Sequence, residues 1–211
     1  MIVSVRQTGS GKTHTLFGPD TASSISLSCK AAGVVPRACA EVTAAVAERS
    51  QWMEACELSA SYIEVYGEEV ADLLTLDTAS GNATAVGAWR GTAVRAVLDG
   101  TTRIRVHNEA EMSALLERGE LAKRRAATKM NDRSSRAHAL LILSLTQRQN
   151  GVESVSHLCL ADLGGCEQLS KSGAQGQQML EAIGINTGLL ALKQCIRALN
   201  KRQRHIPYML Y

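Results

Sequence analysis

Aromatic side chains are nearly missing from this chain: they make up 3% of its 211 residues, with a single phenylalanine. A core must then be aliphatic, built from Leu, Val, Ile and Ala. Cys-x-x-Cys pairs are also missing; the cysteines stand apart at 29, 39, 56, 159, 166 and 195, and no histidine sits at metal-ligand spacing. That excludes a structural zinc centre of the usual pattern and predicts buried free thiols in a reducing compartment. No apolar run approaches the ~20 residues of a membrane span. The N-terminus lacks a basic region followed by an apolar core and a cleavage site. The expectation is a soluble intracellular protein with no membrane span. The net charge of +3 is too small to argue for nucleic acid, so any basic partner surface has to be local.

What is present points to one α/β domain. At 211 residues and 45% hydrophobic, such a chain buries about 70% of its unfolded surface. The stretch Arg6-Gln7-Thr8-Gly9-Ser10-Gly11-Lys12-Thr13 organises the rest. Ile2 to Val5 leads in as a strand, and Thr13 to Phe17 continues as a helix. A strand, a Gly-rich turn and a helix opening at Gly-Lys-Thr form a phosphate cradle of backbone N–H groups. In that pattern Lys12 reaches the outer phosphates and the Thr13 hydroxyl binds Mg²⁺. The pattern asks for Gly where this chain has Arg6. A non-Gly residue at positive φ costs roughly 1–2 kcal/mol, and a bulky side chain there opposes close approach to phosphate.

Further elements follow in order. Val34, Val35, Ala38, Val42, Ala45 and Val46 recur at helical spacing, with Pro36 in the first turn. Leu58 to Tyr66 predicts a strand, Gly67 a break, and Glu68 to Leu74 a short helix. Residues 75–102 predict a long surface loop with one short hairpin. Asn108 and Glu111 form a helix-start pair ahead of a stripe of Met112, Leu115, Leu116 and Leu121. Lys123, Arg124 and Arg125 close that helix, complementing its dipole. Ala139 to Leu145 and Leu158 to Ala161 predict buried strands. Residues 164–184 predict a mobile loop, and Asn186 to Asn200 a helix with Leu189, Leu192, Ile196 and Leu199 on one stripe.

Asp162 ends an apolar strand and is followed by Leu163-Gly164-Gly165. A strand-end carboxylate opposite a phosphate loop holds Mg²⁺, usually through water. Asn131-Asp132-Arg133-Ser134-Ser135-Arg136-Ala137-His138 offers adjacent hydroxyls and an Arg. That set suits a Mg²⁺-dependent phosphate sensor and equally describes a polar turn.

Taken together, Gln7 to His14, Asn131 to His138 and Asp162 to Glu167 resemble the P-loop, switch I and switch II of the kinesin motor domain, in order. Gly33 to Arg37, Tyr62 to Tyr66, Asp72 to Leu74, Ile185 to Leu192 and His205 to Tyr208 resemble its supporting segments. The resemblance covers nearly the whole chain. It implies a P-loop nucleotidase fold, a mostly parallel or mixed sheet flanked by helices on both faces. The expected organisation is one partial motor domain over 1–211. Its P-loop is 6–13, switch I 131–138, switch II 162–167 and the switch II helix about 186–200.

The resemblance also implies roles. ATP would lie on Arg6 to Thr13, with His14 beside the adenine. Gly9, Ser10 and Gly11 would wrap the phosphates and Lys12 neutralise them. Thr13 and Ser135 would hold Mg²⁺, with Asp162 in its outer shell. Ser134 would position the attacking water and Gly165 sense the γ-phosphate. Arg136 and Glu167 would pair to latch the switches. Lys171, Lys193, Arg197, Lys201 and Arg202 would face an acidic tubulin surface, placing the protein in the cytoplasm on the microtubule cytoskeleton. The implied function is an ATP-dependent microtubule motor. The alternative is a catalytically impaired microtubule- or nucleotide-binding fragment. The chain departs from the family at Arg6, Ala137, Gly164, Cys166, Thr187, Gly188 and Lys193. Flanking motor segments and a dimerisation region are expected to be absent, which predicts open apolar sheet edges and a poorly stable isolated chain. A GTPase reading lacks its guanine-specifying Asn-Lys-x-Asp.

Overall fold

In the strand Ala55–Tyr66, Leu58, Ala60 and Tyr62 alternate with Ser59, Ser61 and Ile63, and all of them are buried. Side chains on alternate positions point to opposite faces, so this strand is covered on both sides and belongs in the middle of a sheet. The structure, a computed structural model, describes residues 2–4, 9–19, 27, 29–67, 69–76, 83–88, 100–129, 136–165 and 177–208. Its elements are β1 (Ile2–Ser4), α1 (Lys12–Phe17), α2 (Val34–Arg49), β2 (Ala55–Tyr66), β3 (Glu69–Leu76) and β4 (Ala83–Ala88). They continue with β5 (Ile104–Val106), α3 (Glu109–Lys129), β6 (His138–Gln149), β7 (Val152–Asp162) and α4 (Gln177–Asn200).

The strands form one mixed sheet in the order β1-β7-β6-β2-β3-β4, with β5 on β2. β1 pairs parallel with β7, and the remaining pairs are antiparallel. In register, Tyr62 lies opposite Leu141 and Leu141 opposite Leu160. That row faces α1, α2 and α3, whose Leu16, Val35, Cys39, Met112 and Leu116 complete an aliphatic core. Full burial of each such side chain is worth about 1.5–3 kcal/mol. Burial also pushes the Cys39 thiol up to about 12, so it stays protonated. On the other face, Leu140 and α4's Ile185, Leu189 and Leu192 border one cavity, so helices flank both sides of the sheet. Among the described residues no helix is long and apolar enough to cross a membrane.

The helix start at Asn108 forms as the spacing predicts. Asn108 Oδ1 accepts the Glu111 N–H at 2.9 Å, and Glu111 Oε2 accepts the His107 N–H at 2.9 Å. The His107 N–H bond, followed by the hydrogen bond from the His107 ring, holds the Glu111 carboxyl below its usual range.

Several expectations are corrected. Glu68 to Leu74 is not a helix: Glu69–Leu76 is β3, paired antiparallel with β2 across a turn in which Gly67 has φ 58. The run is too short to nucleate a helix alone. Pairing with β2 satisfies its backbone, and the Asp72 carboxylate pins it by accepting the N–H groups of Leu74 and Thr102. Leu121 and Leu199 stand about half exposed, at 48% and 50%, so both stripes are narrower than expected. α3 continues beyond Lys123–Arg125 to Lys129, and α4 begins at Gln177, inside the expected loop. Cys29 is exposed rather than buried, while Cys166 lies outside the described residues. β4 occupies part of the 75–102 stretch and pairs with β3.

Gly119 in α3 sits directly on the Tyr62 ring, and a Cβ there would come within 2.1 Å of Tyr62 Cδ1. Gly184 in α4 has no atom of the described residues within 4 Å of such a Cβ. The same substitution therefore has opposite signs at the two sites. Gly119→Ala is expected to lower unfolding free energy by about 2 kcal/mol through overpacking. Gly184→Ala is expected to raise it by up to about 1 kcal/mol through helix propensity. Urea unfolding midpoints of both variants check the pair.

Candidate functional site

Sheet register assembles the site. Glu64 on β2 lies opposite Ala139 on β6, Ala139 opposite Asp162 on β7, and Asp162 opposite Ser4 on β1. This row is two residues beyond the core row of Tyr62 and Leu141, on the same face, and it borders a cleft of about 420 Å³. From the other side the cleft is closed by Gly9, Gly11, Lys12, Thr13 and His14. Gly9 and Gly11 have φ of 75 and 82, where a Cβ is strained, and no atom of the described residues occupies the space a Cβ would enter. The backbone can thus be approached closely from the cleft. Thr15 donates through both its N–H and its Oγ1 to the Gly11 carbonyl, at 2.9 and 3.0 Å, closing the first turn of α1 behind the loop.

Asp162 is the electrostatic centre of the cleft. Its Oδ1 is buried and has no hydrogen-bond partner among the described residues. Burial pushes its carboxyl above the usual carboxylate range, opposed by the Lys123 and Lys12 ammonium groups. Lys123, from the middle of α3, lies 3.9 Å from Asp162 Oδ2 and 3.0 Å from Glu120 Oε1. Tyr62 Oη donates to the same Glu120 oxygen. The Lys123 ammonium also sits 5.1 Å from the Phe17 ring centroid and 6.0 Å from that of Tyr62. Lys123 is therefore no helix-end cation, as its sequence position implied, but a largely buried one reaching into the cleft.

The opposite rim is made where β6 begins and β7 ends. The Gly164 N–H donates to His138 Nδ1 at 2.8 Å, so His138 is neutral with its proton on Nε2. Burial lowers the His138 pKa in keeping with that bond. Gly164 lies against the Arg136 backbone: a Cβ would come 2.9 Å from the Arg136 carbonyl. Arg136 borders the second cavity, of about 700 Å³, together with Tyr66, His138, Leu189 and Leu192.

Of the residues singled out in the sequence, Gly9, Gly11, Lys12, Thr13, His14 and Asp162 line one cleft. Ser10 is exposed beside it and Gly165 is buried just past β7. Lys193, Arg197, Lys201 and Arg202 are exposed on α4 and the turn after it. Arg6, Gln7, Thr8, Ser134, Ser135, Glu167 and Lys171 lie outside the described residues. Sequence reasoning missed Glu64, Tyr62, Glu120 and Lys123. A signal for two of them existed. Leu116, Glu120 and Lys123 stand at i, i+4 and i+7, so the charged pair continues the buried stripe of α3.

The His138 bond has a pH consequence. A His whose folded pKa lies below its unfolded value binds fewer protons when folded. Its contribution to stability is then lost as pH falls through about 6.5 toward the folded value. His138→Asn keeps an acceptor near the Nδ1 position without a titrating ring. Urea unfolding between pH 7.5 and 5 is expected to show a shallower decline for the variant than for the parent chain. Equal slopes would remove His138 from the account.

The comparisons with known proteins fall on this geometry. The kinesin motor domain family model matches residues 2–209. The human kinesin-like protein KIF7 is 39% identical over 96% of this chain and 15% of its own length. Human kinesin-like protein KIF27 is 35% identical over the same shares, and the Drosophila melanogaster kinesin-like protein Klp61F is 34% identical over 96% of this chain and 19% of its own. The chain thus spans less than a fifth of the length of these curated relatives. Among solved structures, a fast kinesin described for its ATPase mechanism and microtubule interactions aligns with a TM-score of 0.70 and 29% identity. It covers 98% of this chain and 56% of that one. The motor and motor homology domain of Kar3Vik1 also aligns at 0.70, with 25% identity over 98% and 50%. The family model and these relatives run along almost the full sequence, and this chain belongs to the kinesin motor domain family.

Proposed function

We propose that this chain binds and hydrolyses Mg·ATP and couples its nucleotide state to microtubule binding and movement. The observation that carries the reading is the cleft that brings Gly9, Gly11, Lys12 and Thr13 opposite a buried Asp162 oxygen that has no partner among the described residues. The space over Gly9 and Gly11, open among the described residues, suits phosphate oxygens. Mg²⁺ retains several waters and takes only one or two carboxylates beside substrate phosphates. A Thr13 hydroxyl, a Ser135 hydroxyl and an Asp162 carboxylate fit that donor set. When bound, the metal supplies neutralisation of charge on the β- and γ-phosphates.

The chain's own groups do the rest. Gly9, Ser10 and Gly11 present N–H groups to the phosphates, and Lys12 offsets their charge. Ser134 orients the attacking water, and Gly165 donates its N–H toward the γ-phosphate. Arg136 and Glu167 pair when the switches close. Such a pair at 4 Å is worth at most about 4 kcal/mol at an effective dielectric near 20, less desolvation, which suits a reversible latch. Loss of the γ-phosphate releases that latch and repositions α4, an order-changing switch of the kind nucleotidases use. Lys193, Arg197, Lys201 and Arg202, exposed on and after α4, with Lys171 before it, meet the acidic tubulin surface. On this reading the protein works on cytoplasmic microtubules.

Arg6 favours a second reading, in which the chain binds nucleotide or microtubules without turning over, because a bulky side chain replaces the first loop glycine. Phosphate release with and without microtubules separates the two. Lys12→Ala is expected to abolish nucleotide binding. Glu167→Ala is expected to retain binding and lower turnover by at least about 10²-fold, the scale of removing one preorganised transition-state contact. Turnover unaffected by either change would place the chemistry elsewhere. Nucleotide binding without turnover in the parent chain would select the second reading.

A further inference from the structure

Glu120 is buried in α3, 8% exposed, between the core and the cleft. A buried carboxylate is costly unless paired. Here one oxygen, Oε1, accepts from Tyr62 Oη and from Lys123 Nζ, the latter at 3.0 Å. Lys123 is thereby held between carboxylates at unequal distance, 3.0 Å from Glu120 and 3.9 Å from Asp162. The Lys123 ammonium also lies over the rings of Phe17 and Tyr62. Asp162 meanwhile keeps Oδ1 without a partner among the described residues.

We infer that Glu120 is a positioning residue for the metal side of the cleft: it holds the Lys123 ammonium away from Asp162, leaving that carboxylate available to a Mg²⁺-bound water. The inference deepens the nucleotide-site reading and rests on it. The physics is a competition for one cation. Side-chain charges a few ångströms apart in a desolvated pocket interact strongly, and a carboxylate neutralised by an ammonium is a weaker partner for a hydrated metal. Without the Glu120 charge, Lys123 moves the short remaining distance onto Asp162. Tyr62 acts one step further back, orienting the Glu120 oxygen. Gly119 is required because any side chain there would strike the Tyr62 ring.

Glu120→Gln tests this, since the amide keeps the shape and an acceptor for both Tyr62 and Lys123 but removes the charge. The measurement is a Mg²⁺ titration of the ADP-bound 211-residue chain, with ADP affinity in EDTA measured alongside. In Glu120→Gln, Mg²⁺ affinity is expected to fall about 10-fold, the lower end of outer-shell effects on metal sites. ADP affinity in EDTA should stay unchanged. Adding Lys123→Met to that variant removes the competing cation and should restore Mg²⁺ affinity, a coupling that lost packing would not produce. Glu120→Asp, which draws the carboxylate back by one methylene, should shift the titration the same way by less, and it stands in if Glu120→Gln fails to fold. A Glu120→Gln titration superimposable on the parent, while Asp162→Asn still weakens Mg²⁺ binding, overturns the role of Glu120 and leaves the site intact. A failure of the double variant to recover overturns it equally. If Asp162→Asn changes nothing, or the parent binds ADP without regard to Mg²⁺, the site assignment fails and this inference with it.

Discussion

The cleft is organised around the burial of one carboxylate. Asp162 stands at the end of β7, in register with Ala139 and Ser4, where water has been largely removed. Ionised carboxylates in such places need a counter-charge or they take up a proton. Lys123 and Lys12 oppose that proton uptake from a distance, but a buried lysine is itself costly, and Glu120 with the Tyr62 hydroxyl pairs Lys123 more closely than Asp162 does. The chain of requirements then reaches Gly119, which must be small so that the Tyr62 ring can lie under α3. A single desolvated group at a strand end thus dictates side chains on β2, two strands away in the sheet, and on a helix packed against it.

The sheet separates two different kinds of packing. On the face of α1, α2 and α3 the aliphatic side chains form one closed core, with Met112, Leu116 and Cys39 fully buried. On the other face α4 leaves a cavity of about 700 Å³ against β2 and β6 and keeps Leu190 and Leu199 half exposed. Dense packing resists displacement, whereas an element bordered by open space moves at lower cost. The Gly164–His138 hydrogen bond lies between the two, joining the end of β7 to the start of β6. The cleft and the loosely seated helix therefore share a strip of backbone in which Gly164 approaches Arg136 within contact distance.

The legible parts of the fold were those where a local signal and the tertiary environment agreed. The strand before the Gly-rich turn, the buried alternation of β2, the start at Asn108 and the Gly-Lys-Thr helix are examples. Glu69–Leu76 failed because its short run carries no decisive periodicity, and its conformation is set by β2 beside it and by Asp72. Leu121 and Leu199 failed because a stripe seen in sequence gives a direction on a helix, not the width of the surface that covers it. Lys123 was misread for a related reason: its role depends on Asp162, 39 residues later by the difference of their numbers, across a strand register invisible to local spacing.

By itself the sequence determined which residue types stand together: a Gly-rich turn ending in Gly-Lys-Thr, an aspartate after an apolar run, hydroxyls and an arginine between them, and a family whose model spans residues 2–209. Those are properties of short segments, encoded by residue type at fixed offsets. Only the tertiary structure decided that Glu64, Glu120 and Lys123 belong beside them, because sheet register and helix docking set distances between residues that no local pattern relates. The same physics settled which charges are desolvated and must be paired, and which, like those on α4, remain in water.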